Sequence, residues 1–144
     1  MKYISLFIFT IWTLTLYGQN ESHMNIEKIK LCQQSIDYPY VASKQRNTVI
    51  LENMNMLKKG MTIDQTIALL TNPDEVNLTY KFKKAKFEED NVIGFSVVYL
   101  LRRDTEKGSV VEKNEQLLRI HFNDSEKLIW SYSTEIDEFR EIEK

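Results

Sequence analysis

Residues 59–76, Lys-Gly-Met-Thr-Ile-Asp-Gln-Thr-Ile-Ala-Leu-Leu-Thr-Asn-Pro-Asp-Glu-Val, constrain the fold more than any other stretch of the chain. Gly60 frees the backbone ahead of a helix. Thr62, with Gln65 three residues later, makes a Thr-x-x-Gln capping box. Ile63, Ile67 and Leu70 then fall at i, i+4 and i+7, which gives the helix one apolar face. Asn72-Pro73 ends it, because proline pushes the preceding residue out of helical geometry. No residue here is a nucleophile, metal ligand or general base in a suitable setting. The cassette therefore specifies architecture rather than chemistry.

The period changes after Pro73. Val76, Leu78, Tyr80 and Phe82 alternate with Asn77, Thr79, Lys81 and Lys83, as in a half-buried strand. Residues 93–103, 116–122 and 127–133 read as further strands, the last two forming a hairpin about Asn123-Asp124-Ser125-Glu126. Leu118, Ile120 and Phe122 share one face; Leu117, Arg119 and His121 share the other. Upstream, residues 24–34 suit a short helix, 35–47 a loop around Tyr38-Pro39-Tyr40, and 48–58 a helix ending before Gly60. Helices grouped before strands predict an α+β fold: two short N-terminal helices packed on one face of a three- to four-stranded antiparallel sheet. The other face is expected to be at least partly open to solvent.

Residues 1–18 carry one positive charge at Lys2, continue as an uncharged run from Tyr3 to Tyr17 and end at Gly18, the layout of a signal peptide. The run is shorter than the roughly 20 residues that span a bilayer. The expected organisation is a leader at 1–18, a helix-and-loop extension at 19–47, an α+β domain at 48–133 and an acidic tail at 134–144. No Cys directly follows the apolar run, so lipid attachment by the usual bacterial route has no acceptor. The expectation is a periplasmic or secreted protein. Cys32 is the only cysteine and has no intramolecular partner, which in an exported protein leaves a free thiol or an intermolecular bridge; a buried structural thiol on the first helix is the simpler reading of it. Removing Lys2 with the leader leaves 18 basic against 21 acidic side chains, which argues against a dedicated nucleic-acid binder.

The chain has only two histidines, His23 and His121, far from Cys32, where a zinc site needs several convergent ligands. The acidic runs Glu88-Glu89-Asp90 and Asp137-Glu138 are consecutive and diverge, whereas paired-carboxylate catalysis needs two groups facing across a cleft. There is no nucleophile elbow and no phosphate loop. The expectation is a non-enzyme without metal or cofactor. Lys81, Lys83, Lys84 and Lys86 interleave with Tyr80, Phe82 and Phe87. Such a stripe suits contact with anionic lipid headgroups, as at the outer membrane, or with an acidic partner; an edge strand protected against aggregation is the simpler reading. Tyr99, Trp130 and Tyr132 are ordinary core residues or interface anchors.

Lys59-Gly60-Met61-Thr62, Gln65, Leu69-Leu70 and Pro73-Asp74, with Tyr99 in a strand and Leu-Leu-Arg-Ile-His-Phe-Asn-Asp then Lys-Leu-Ile over 117–129, resemble the SmpA/OmlA group. That group includes the small lipoprotein subunit of the outer-membrane β-barrel assembly machinery, and its wider fold resembles the β-lactamase inhibitor protein repeat. The likeness covers about residues 48–133. Thr71-Asn72 stands where the family has a glycine, and the lipobox cysteine is missing. The resemblance implies a protein-binding module of the cell envelope, with another envelope protein as partner. The face expected to hold it carries Tyr99, Arg103, Leu117, Arg119, His121 and Trp130. The alternatives are an inhibitor or immunity protein that blocks an exported enzyme or toxin, and a carrier holding a small lipid or ligand between helix and sheet.

Overall fold

The cassette forms its helix with the cap foreseen. In a computed structural model that describes residues 24–82, 91–105 and 115–144, α3 runs Ile63–Leu70 behind Thr62, whose hydroxyl accepts from the Gln65 amide while the Gln65 side chain accepts from the Thr62 amide. Its buried face is Ile63, Thr66 and Leu70, with Ile67 half-buried at the margin. The leader at 1–18, and Lys83, Lys84 and Lys86, lie outside the described residues.

The chain is α+β with a five-stranded antiparallel sheet, one strand more than the upper expectation. Ahead of α3 lie α1 (Ile26–Leu31) and α2 (Lys44–Asn53), so among the described residues there are three α-helices rather than two. A 3-10 turn follows at Met54–Met56. α2 begins at Lys44 rather than Thr48 because Ser43 caps it, its hydroxyl accepting from the Arg46 amide at 3.2 Å. The segment read as loop also contributes β1, Tyr40–Val41. The remaining strands are β2 (Glu75–Tyr80), β3 (Val92–Arg103), β4 (Gln116–Asn123) and β5 (Leu128–Thr134). β3 is the spine. β4 lies along one edge with β5 beyond it, while β2 and β1 share the other edge end to end.

That shared edge leaves a gap, which Asp74 fills. The Asp74 amide donates to the Val98 carbonyl at 2.8 Å, and its carboxylate accepts from the Leu100 amide at 2.7 Å. The same carboxylate accepts from Arg46 at 2.9 Å and from the Gln34 side chain. Arg46 reaches on to the Thr71 hydroxyl at 2.6 Å and the Asn72 carbonyl at 2.8 Å. The Tyr99 hydroxyl donates to the Thr71 carbonyl at 3.0 Å. Buried polar groups are tolerable only when paired, and here one acidic side chain ties α2, the end of α3 and the middle of β3 together.

The core lies between one sheet face and the helices. Phe95, Val97, Tyr99 and Leu101 from β3 and Leu118, Ile120 and Phe122 from β4 meet Ile29, Ile50, Met54, Ile63 and Leu70. Burying each such side chain contributes about 1.5–3 kcal/mol. The rings of Phe95 and Phe122 stack at 4.9 Å, next to Gly94, where an added Cβ would collide with the Phe122 carbonyl oxygen. The acidic tail is less separate than its charge suggests. Ile136 and Phe139 are buried in the core, and Ile142 exchanges two backbone hydrogen bonds with Ser131 on the outer edge of β5. Among the described residues no helix is long and apolar enough to cross a membrane.

Candidate partner-binding face

The sheet's second face is divided. On one half, the segment leading into β1 crosses it, and Ile36 and Tyr40 pack on Val98, Leu100 and Leu117. On the other half no described segment packs across β4 and β5, and their register determines what they present. Arg119 pairs with Tyr132 and His121 with Trp130. The hairpin turn fixes that register: the Asn123 side chain accepts from the Ser125 and Lys127 amides at 3.1 and 2.9 Å.

The result is a cluster of three aromatic rings. His121 and Trp130 stack at 3.7 Å with planes 6° apart, and Tyr132 follows at 5.5 Å from Trp130. Such pairs contribute about 0.5–1.5 kcal/mol each beyond their burial. Lys144 Nζ stands 5.8 Å from the centre of the Trp130 ring, carried there by the Ile142–Ser131 pairing. Arg119 and Lys144 form no salt bridge among the described residues. Both lie close enough to His121 to act on it. Burial first, then Arg119 and Lys144, lower its pKa from 6.5 to about 4, so its ring is neutral at physiological pH.

The six residues expected to form one surface separate into two groups. Arg119, His121 and Trp130 are half-buried neighbours on the uncovered half. Tyr99 is 0 % exposed because it points to the helix side and is held by Thr71. Leu117 is on the second face but 2 % exposed, since Ile36 and Tyr40 cover it. Arg103 is 1 % exposed, its guanidinium held by Glu75 and, at 2.9 Å, by Glu115. These three are thus not on the accessible surface. Lys144 escaped the sequence reading, because nothing local signals that the tail returns to β5. Lys81 is exposed beside Phe82, 5.7 Å from its ring, at the far end of β2 from Glu75.

A cavity of about 310 Å³ lies between the covering segment and β2, lined by Gln33, Gln34, Tyr38, Asp74, Glu75 and Asn77. It is polar, and its two carboxylates are already engaged by Arg46 and Arg103. It does not lie between helix and sheet, where a carrier's pocket was expected. Among the described residues no group of three His, Cys, Asp or Glu side chains converges as metal ligands would. Cys32 caps the end of α1 with its thiol 3.3 Å from the Lys28 carbonyl, half-buried rather than enclosed. No family model matches the chain, and neither the curated proteins nor the solved structures yield a match.

Proposed function

We propose that this chain is an exported, non-enzymatic binding module of the cell envelope, SmpA/OmlA-like in character, that engages another envelope protein through the uncovered half of its sheet. The His121–Trp130–Tyr132 ring cluster, with Arg119 and Lys144 beside it, carries this reading. Trp, Tyr and Arg supply most of the energy in protein interfaces. Here they stand together on strands whose other face is anchored in the core, so the surface is rigid before a partner arrives and little ordering cost remains. The blocking of an exported enzyme or toxin would use the same face and differs only in what is bound.

Site-specific photocrosslinking in intact cells tests the reading. A benzophenone side chain in place of Tyr132 should give a discrete adduct with an envelope protein, and the same group in place of the exposed Gln45 on α2 should give none. Adducts at Gln45 alone, or a chain retained in the cytoplasm with its leader intact, would defeat it.

A further inference from the structure

The partner's chemistry can be taken further, on the premise that the β4–β5 face is a binding surface. We infer that this face accepts a protein segment pairing a carboxylate with an aromatic or large apolar side chain. Arg119 and Lys144 bring positive charge to the same small area and neither is neutralised by a described carboxylate. Glu75, in the same cross-sheet row as Arg119 through Val98, is taken up by Arg103. His121 adds no third charge at neutral pH, because its burial first, and then the two cations, oppose its protonation. Beside the cations stand Trp130 and Tyr132, whose rings offer an apolar edge to a side chain of similar kind.

Charge complementarity therefore calls for an anion, and an arginine takes a carboxylate through paired hydrogen bonds. The surroundings favour a discrete acidic group over an extended anionic surface. Glu135, Asp137, Glu138, Glu141 and Glu143 crowd the tail that brings Lys144 into place, and the whole chain carries net charge −2. A chain of net negative charge gains little from being pressed broadly against an anionic bilayer. A narrow acidic-aromatic segment would meet only the cations and rings.

Panning a random twelve-residue peptide library against the immobilised full-length chain tests this. Enriched peptides should combine Asp or Glu with Trp, Phe or Leu, and should bind about tenfold or more weakly to R119E and to K144E. Lys144 is exposed on the tail, so its variant reads the site even if R119E folds poorly. Enrichment of neutral or basic peptides that W130A still abolishes would overturn the acidic inference and leave the binding face standing. No enrichment, or peptides indifferent to W130A, would remove both. Binding to phosphatidylglycerol vesicles that K144E abolishes, with no peptide selected, would overturn the inference in favour of lipid.

Discussion

The carboxylate of Asp74 accepts a 2.7 Å hydrogen bond from the Leu100 amide, standing in for the strand that neither β1 nor β2 supplies at that point along β3. Arg46 and Gln34 close on the same carboxylate. Replacing Asp74 with alanine strands the Leu100 amide and an Arg46 side chain that is only 12 % exposed. Breaking a buried ion pair in this way costs about 3–5 kcal/mol. Urea denaturation of D74A should show a loss of that order, and an unchanged midpoint would mean that the gap is closed by other means.

Gly94 makes the second prediction. Its φ is +155°, and an added Cβ would collide with the backbone of Phe122, which has no flexible end to yield. Overpacking of this kind costs about 1–3 kcal/mol, and the backbone conformation adds to it. G94A should melt lower and lose amide-exchange protection first where β3 meets β4. A Gly94→Ala chain as stable as the parent would show that the two strands are not this close.

Thr71 ends α3 at φ 81°, ψ −174°, a region almost reserved for glycine that costs about 1–3 kcal/mol. Its hydroxyl is also bonded to Arg46. T71A loses the bond and keeps the strain, whereas T71G loses the bond and sheds the strain. Thr71→Gly should therefore be the more stable of the two, the reverse of the ordinary preference for alanine. Alanine proving the better replacement in a denaturant titration would refute the strained cap.

His121 supplies a pH dependence. The unfolded chain takes up a proton at this residue as pH falls through about 6.5, while the folded chain holds out until about 4. Its contribution to stability is present above 6.5 and declines as pH falls towards 4, because the unfolded state then binds the extra proton. NMR titration of the ring protons should place its midpoint near 4, and H121F should show a shallower decline over that interval. A midpoint near 6.5 would mean that the stack on Trp130 is open to water.

Where a local rule governed the structure, the sequence was legible. The Thr62–Gln65 box and the alternation that sends Leu118, Ile120 and Phe122 inward are both present as read. Local rules say nothing about what lies on top of a strand. A two-residue β1 has no period to detect, so the covering of Leu117 by Ile36 and Tyr40 could not be foreseen. Arg103 reads as a surface cation until Glu75 and Glu115, distant in sequence, come to it. The start of α2 was recoverable from the Ser43 cap.

The pairing of Ile142 with Ser131 makes the last residues a selvedge on the sheet, the finished border that stops a cloth from fraying. A nick after Thr134 would bare the backbone groups of Ser131 at the edge of β5 to any passing strand, uncover the core where Ile136 and Phe139 sit, and in the same cut carry away Lys144. Solubility and recognition would then fail together, so light scattering on a chain trimmed at Thr134 should rise along with its loss of peptide capture.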